Sequence, residues 1–492
     1  MNVNTKKIFS SAKLFIGPLL FLGTLLYPSS LATDIQSFLA IFLLVIWLWI
    51  FTELPLFITG ILGVTLSVFF GLVAPKEALA PFANPIIFLF LSGFLFARAL
   101  EMTKLDEYLA RVLLSHPKIR SNPKLIILAF YILAAFCSMW ISNTAAVAML
   151  LPLSYGLLKS LKQNFSITGN HFEEVFLLGL AYSATIGGNL TPIGSPPNLI
   201  SIGLIRNLDG SDISFLKWII MAIPISAVLF TIVFRRTISS ISIVKESKNI
   251  TSSEEYKNKE NEEYLEPHRT LSFEQKNLLI LFCSTIVVWV LPSFIKVFLP
   301  EDSSLNLYFR NNLSTSIVGL FFSSLLFIFP LKSEEKLLSS HHISTIDWGS
   351  LLLFGSGLSL GNILFQTGLA ELFASQLSGL SGYLSPIFIL LLFILGTIFF
   401  TEIASNTASA NIIIPIMIAF SQKTSLSIPI TAFAMAIACN SAFMLPVATP
   451  PNVIVYGTQK VRKIAMIKAG WKLNIFAFAV IAIYVFLAHL FF

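Results

Sequence analysis

Long apolar runs separated by short polar joints dominate the chain. Runs suited to cross a bilayer as helices lie at 14–30, 36–52, 55–74, 84–100, 175–204, 216–234, 277–298, 312–330, 347–364, 428–457 and 471–491. A crossing helix needs about 20 apolar residues, so the shorter runs are expected to tilt or to be accommodated by their neighbours. Two further runs, 123–158 and 385–422, are each interrupted near the middle by Ser-Asn-Thr. Irregular backbone at that depth survives only where protein or a water-filled cavity surrounds it. Each is read as a re-entrant hairpin of two half-helices that enters and leaves on one side. The stretches 102–116 and 366–380 have an amphipathic pattern and are predicted to lie flat at the interface.

The same landmarks occur twice. Phe90-x-x-Gly93 returns as Phe354-x-x-Gly357, and Thr103-x-x-x-Glu107 as Thr367-x-x-x-Glu371, both 264 positions on. Ser142-Asn143-Thr144-Ala145 returns as Ser405-Asn406-Thr407-Ala408, each with a proline ten residues after its serine (Pro152, Pro415). Pro192-x-x-Ser195-Pro196-Pro197-Asn198 returns as Pro446-x-x-Thr449-Pro450-Pro451-Asn452. The span count opens the first hairpin to the cytoplasm and the second to the outside. The predicted fold is therefore all-α and polytopic, with about 11 transmembrane helices plus two re-entrant hairpins in an inverted-topology repeat. The expected organisation is N-terminal scaffold helices at 1–83 and a first repeat unit at 84–235. A cytoplasmic linker at 236–276, scaffold helices at 277–346 and a second repeat unit at 347–492 follow.

Composition agrees with a lipid setting. Of 492 residues, 55% are hydrophobic and 12% charged, about half the charged fraction of a soluble domain. The net charge of +7 forms no patch that would suit nucleic acid. The basic residues sit in loops. With the N-terminus inside, the cytoplasmic loops hold Lys104, Arg111, Lys118, Arg120, Lys124, Lys159, Lys162, Arg235, Arg236, Lys332, Lys336, Lys460, Arg462, Lys463 and Lys468. Only Lys76, Arg206, Lys217, Lys296, Arg310 and Lys423 fall outside, as the positive-inside rule requires. The charged stretch 245–266 reads as a flexible cytoplasmic linker. The first apolar run follows Lys6, Lys7 and Lys13 and resembles a signal peptide ending near Ser30-Leu31-Ala32. Its length and the spans that follow at once favour an uncleaved helix. Cys137, Cys283 and Cys439 lie in apolar runs at no metal or disulfide spacing, and the six histidines fall outside every motif. Phosphate-binding glycine motifs are absent, so ATP-driven transport within this chain is unsupported.

The four turns carry the chemistry. A half-helix that starts at Ser-Asn-Thr presents unpaired N–H groups and a partial positive charge, which favour a carboxylate or sulfate. The preceding half-helix ends in free carbonyls. With Ser hydroxyl and Asn amide oxygens, these make hard neutral ligands for an alkali cation. Each Pro-Pro-Asn segment breaks a second helix, because proline removes a donor and clashes with the preceding turn. Ser138 and Thr401 each lie four residues before their tip serine, on the same helical face. No Lys or Arg lies within any of the four turns. A bound dianion there would be neutralised by helix ends, hydroxyls, amides and captured cations, which predicts cation coupling. Glu402, beside Thr401, either relays protons or pairs locally, and the local role is favoured over the functional default for a charge at that depth. Arg98 and Glu101 read as snorkelling anchors at the cytoplasmic end of their span.

At these residues the chain resembles the divalent anion/sodium symporter family, which includes sodium-coupled dicarboxylate and citrate carriers and dicarboxylate exchangers. MWISNTAAVAMLLPL (139–153), TEIASNTASANIIIPI (401–416) and AFMLPVATPPNVIVYG (442–457) are similar to its signature segments. The resemblance implies a homodimer of elevator type, each protomer with a scaffold and a moving transport region. It implies one sodium site at Ser138, Ser142, Asn143 and the backbone of Gly194, and a second at Thr401, the backbone of Ala404, Asn406 and the backbone of Ala448. It places substrate carboxylates against Asn143, Thr144, Asn406 and Thr407, with Ser195, Pro196, Thr449 and Pro450 closing the site. Two departures bear on substrate preference: Ser195 stands where many relatives have Thr, and Ala145-Ala146 follow the first tip where a Thr is common.

The expected activity is sodium-coupled symport of four-carbon dicarboxylates such as succinate, malate or fumarate across a bacterial cytoplasmic membrane, N-terminus inside and C-terminus outside. The cofactors expected are co-transported sodium ions and no organic group. The partners are a small dicarboxylate and membrane lipid. An exchanger of the 2-oxoglutarate/malate type and a sulfate or tricarboxylate symporter are the alternatives. An anion channel is disfavoured by the paired hairpins. An intramembrane enzyme is disfavoured because the spans carry no His–Ser, His–Cys or paired-Asp constellation.

Overall fold

A computed structural model describes residues 3–165, 167–168, 171–210, 213–243, 270–298, 300, 303–304, 308–309, 312–328 and 336–491. Among them are 19 helices of eight residues or more. The first is α1 (Val3–Leu26). Then come α2 (Thr33–Phe51), α3 (Leu56–Phe69), α4 (Pro85–Thr103), α5 (Leu105–Ser115), α6 (Pro123–Ser138), α7 (Asn143–Phe165), α8 (Phe172–Gly187), α9 (Pro196–Leu208) and α10 (Phe215–Ser239). The second series is α11 (Phe273–Phe298), α12 (Thr315–Leu325), α13 (Trp348–Gln366), α14 (Leu369–Gly379), α15 (Pro386–Phe400), α16 (Asn406–Gln422), α17 (Ile428–Asn440), α18 (Pro450–Gly457) and α19 (Lys463–Phe491). Seven helical segments among the described residues are long and apolar enough to cross a membrane, and six shorter apolar helices accompany them.

Local chemistry sets many of these boundaries. Asn84 accepts the Ile86 N–H and Asn122 the Lys124 N–H, each just ahead of a proline at the first helical position. Ser214 and Ser314 cap α10 and α12 through their hydroxyls. Gly368 takes up a left-handed turn (φ 80°) between α13 and α14.

The expected all-α class holds, with one small departure. Ile167 and Thr168 pair antiparallel with Ile243 and Ser242. Two boundaries move. The second arm of the first hairpin runs past 158 to Phe165, because Leu157, Leu158 and Leu161 stay buried on one face while Lys159 and Lys162 turn out. Residues 236–239, expected in the linker, complete α10, and α11 begins at Phe273. The linker stretch 245–266 lies outside the described residues, as do Arg310 and Lys332.

The series α2–α10 and α11–α19 match element by element, with α1 as an addition. The match extends to hydrogen bonds. Asn198 donates to the carbonyls of Gly188 and Thr191, ten and seven residues back. Asn452 donates to those of Ala442 and Leu445, again ten and seven back. Ser142 and Ser405 accept the N–H of Ala145 and Ala408. Trp49 Nε1 donates to Leu56 O at 3.0 Å, and Trp289 Nε1 to Thr315 O at 2.8 Å. The last pair brings α2–α3 and α11–α12 into the repeat, which the sequence landmarks did not reach.

The two series are also laced together. A methyl group on Gly60 of α3 would sit 2.3 Å from Ser356 Oγ of α13, and one on Gly319 of α12 would sit 2.4 Å from Ser92 Oγ of α4. Each series therefore packs its second helix against the third helix of the other through a bare glycine. Small residues let helix backbones approach closely in lipid. Nearly all of α8, α13 and α17 is buried, so the two helix breaks lie at the centre of the protein.

Gly60→Ala is expected to lower the melting temperature in detergent, and Ser356→Ala in the same chain to restore part of the loss. A differential scanning fluorimetry cycle measures this. The open position Gly23, where nothing lies within 4 Å, serves as the control.

Candidate functional site

Each hairpin tip divides the labour of its three polar residues. The serine, not the asparagine, caps the second half-helix: Ser142 Oγ lies 3.2 Å from the Ala145 nitrogen and Ser405 Oγ 3.1 Å from that of Ala408. That frees the asparagine side chain to turn back. Ser138 Oγ donates to Asn143 Oδ1 at 2.6 Å, and Thr401 Oγ1 lies 2.8 Å from Asn406 Oδ1. Ser138 and Thr401 are completely buried. The hydroxyl positions marked by the repeat are thus brought to the tips they were expected to serve.

The first broken helix completes one oxygen cluster. A methyl on Gly188 would lie 2.3 Å from Asn143 Oδ1 and 3.0 Å from the Gly194 carbonyl oxygen. Gly188 is bare because these oxygens crowd its α-carbon. Ser138, Asn143 and Gly194 therefore converge, while Ser142 commits its hydroxyl to the cap. In the second half, Thr401 Oγ1 also lies 2.7 Å from the Cys439 carbonyl, and its single proton serves one acceptor at a time. Ala404, between Thr401 and Asn406 in the chain, and Ala448, in the second broken helix, are both buried, but no hydrogen bond among the described residues ties either to Thr401 or Asn406. These are neutral hard oxygens, suited to an alkali cation and lacking the thiolate, imidazole or carboxylate cluster of a transition-metal site.

A residue absent from the sequence reading joins the halves. Asn440 ends α17. Its Oδ1 accepts from Ser195 Oγ at 2.6 Å, and its Nδ2 donates to Asn198 Oδ1 at 2.8 Å. The polar path runs from Asn143 past Gly188 to Asn198, across to Asn440, and through the adjacent Cys439 carbonyl to Thr401 and Asn406. Asn198 and Asn440 are fully buried. The signal was an amide closing a 13-residue helix whose only other polar side chain is Thr431.

Of the expected substrate residues, Ser195 stands at the start of α9 and gives its hydroxyl proton to Asn440 rather than capping the helix. Thr449 occupies the matching place before α18, 2% exposed, with its hydroxyl unpartnered. Pro196 and Pro450 open α9 and α18 at the first helical position, where a missing N–H costs nothing. Thr144 is exposed and Thr407 half-buried. No hydrogen bond of theirs ties the two tips together.

Glu402 is the strongest anchor. Its Oε1 accepts from the N–H groups of Phe443 and Met444 and from Asn474 Nδ2, and its Oε2 accepts from Leu445 N–H, all at 2.7–2.8 Å. The carboxylate thus satisfies three backbone donors released where the second helix breaks, which bears out the local role. In the first half neutral groups serve freed carbonyls instead: Thr191 Oγ1 donates to Met139 O at 2.5 Å, and Trp218 Nε1 to Asn189 O at 3.0 Å.

A cavity of about 750 Å³ reaches Ser142 and Ala145. Arg98, Glu101, Lys104, Asp106, Glu107 and Asp347 line its mouth. Arg98 and Glu101, expected as lipid-interface anchors, instead pair at 2.7 Å on this cavity. Asp106 sits in the amphipathic helix α5, where burial pushes its carboxyl up to about 6.

Two outcomes are expected. Glu402→Gln strands buried donors and should lower the melting temperature far more than Glu101→Gln. Because the Asp106 carboxyl titrates higher when folded than the ordinary carboxylate near 3.8, the folded state binds more protons between those values. Stability should fall as pH rises from about 4 to above 6, and Asp106→Asn should flatten that slope in a melting-temperature series.

Comparison with known proteins follows the same lines. The family model described as "Citrate transporter" (CitMHS) matches residues 45–439 and again residues 313–492. A sodium-dependent dicarboxylate transporter, SdcS, of Staphylococcus saprophyticus is 32% identical over 467 residues, covering 93% of this chain and 87% of that protein. SdcS of Staphylococcus aureus RF122 is 31% identical over 468 residues, with 94% and 87% covered. An uncharacterized transporter of Haemophilus influenzae is 35% identical over 451 residues, with 91% and 90% covered. The crystal structure of the Alcanivorax borkumensis YdaH transporter shares the fold, with a TM-score of 0.56 at 14% identity over 97% of this chain and 96% of that one.

Proposed function

The chain belongs to the citrate transporter family and is a membrane transporter, and from that premise we propose that it is a sodium-coupled symporter of four-carbon dicarboxylates. Succinate, malate and fumarate are the substrates that fit this reading. The observation that carries it is the pair of oxygen clusters, Ser138–Asn143–Gly194 and Thr401–Asn406–Cys439, joined through Asn198 and Asn440. The relatives named as sodium-dependent dicarboxylate transporters support the choice of ion and substrate.

Two negative charges need compensation, and the four turns carry no basic side chain. The N-termini of α7 and α16 contribute roughly half an elementary charge each. A sodium ion in each oxygen cluster more than covers the remainder. Without the cations, a carboxylate would meet a neutral pocket at high desolvation cost. Binding of ion and acid is therefore interdependent, which is the basis of symport. In this reading Asn143 and Asn406 use their Oδ1 atoms for sodium and leave their amide N–H groups for the substrate. Thr144 and Thr407 add hydroxyls, and Ser195 and Thr449 bound the pocket at the two helix breaks. Ser142, Ala404 and Ala448 complete the sodium ligands through their tip and backbone oxygens.

We place the N-terminus in the cytoplasm and the C-terminus outside, in a bacterial cytoplasmic membrane. The cavity at Ser142 then opens inward, and the halves are inverted with respect to each other. Alternation is assigned to an elevator movement of the hairpins and broken helices against α2–α4 and α11–α13, within a homodimer.

Proteoliposomes loaded without substrate should take up labelled succinate at least about tenfold faster with an inward sodium gradient than with potassium. Asn143→Ala and Asn406→Ala should each abolish uptake while the protein still inserts. Wild-type rates in either variant would remove the site. Uptake that requires internal dicarboxylate but not sodium would replace symport by exchange.

A further inference from the structure

Among the described residues, three of the basic side chains flanking the starts of α8 and α19 are neutralised. Arg462 pairs with Glu174 at 2.9 Å, and Lys162 and Lys460 both pair with Glu173. Two others differ. Arg236, in the last turn of α10, makes one long contact to the Ala469 carbonyl at 3.4 Å. Lys472 of α19 has no partner among the described residues. Both face the same cavity of about 350 Å³ between α8, α10 and α19. Its remaining walls are mainly apolar: Val175 and Leu178 of α8, Ile232 and Val233 of α10, and Leu473 and Phe476 of α19. No carboxylate lines it. The buried Glu402 carboxylate behind α19 is fully engaged by its four donors.

We propose that this groove binds an anionic phospholipid, its phosphate between Arg236 and Lys472 and its acyl chain along the apolar wall. Two unpaired cations above apolar side chains match an amphiphilic anion. A dicarboxylate would leave the walls wet, and an uncharged lipid would leave both cations uncompensated. The setting fits: Trp471, half exposed beside Lys472, is the residue type that settles at the headgroup level. The groove also lies where the last helix of one series, α10, meets the last helix of the other, α19. A lipid there fills a seam between the repeats.

Native mass spectrometry of the full-length protein in mild detergent, titrated with phosphatidylglycerol or phosphatidylcholine, tests the site. The wild type is expected to retain phosphatidylglycerol in preference to phosphatidylcholine. Each cation near a surface adds about a fivefold preference, so Lys472→Gln should weaken retention several-fold and Arg236→Gln/Lys472→Gln should reduce it to the phosphatidylcholine level. Lys472 is exposed, so its single variant keeps the test open if the double variant does not fold. Arg235→Gln/Lys468→Gln, removing exposed neighbours, should leave retention unchanged. Equal retention of the two lipids by the wild type would overturn the proposal. So would loss of bound lipid to millimolar inorganic phosphate, which would mark a small-anion site instead. The readout is independent of transport, so it stands or falls separately from the symport reading.

Discussion

Backbone polar groups freed by a broken helix cannot be left bare in a lipid interior, and the architecture follows from how they are satisfied. Four helix interruptions meet near the centre of this protein, and each needs internal partners. Asn198 and Asn452 each hold two carbonyls of the segment before their own helix. Glu402 holds three N–H groups of the second break. Once those demands are met, the oxygens that remain unspent are the ones available to an ion. The site is what is left over after the backbone has been stabilised.

The division between structural and functional oxygens also explains the composition of the tips. A tip needs a cap and a ligand, and the two tasks fall mainly on different side chains. Serine caps, asparagine turns inward, and a hydroxyl one turn earlier meets it. The halves are not chemically equal, however. The first break is held by a threonine and a tryptophan, and the second by a buried carboxylate with an asparagine from α19. A charged anchor among neutral surroundings is costly to break, so loss of a single side chain threatens the second break more than the first.

Much of this was legible in the residues alone. Apolar run length located the helices, and the repeated Ser-Asn-Thr and Pro-Pro-Asn landmarks located the breaks. The positions of Ser138 and Thr401 followed from helical spacing. What escaped were contacts between residues far apart in the chain. Asn440 lies outside every repeated motif, and its bonds to Ser195 and Asn198 depend on how α17 packs against α9. Arg98 was read as a lipid anchor because a long cation near a helix end usually snorkels. Only the packing of α4 beside the first hairpin turns it toward a cavity. Gly60 and Gly319 carry no local mark, since nothing in the neighbouring sequence identifies a residue whose contact belongs to the other series.

That crossed glycine contact constrains how the protein can come into being. The surface that receives α3 belongs to α13, which leaves the ribosome only after the whole first series has been made. Until then α3 has lipid where its partner should be, and α4 waits likewise for α12. Neither series is a self-sufficient folding unit, so assembly is completed from the C-terminal end. A chain severed in the linker could regain its shape only if both fragments reached the same membrane together. An ancestral single-series protein, if it folded at all, would have done so by embracing a second copy of itself.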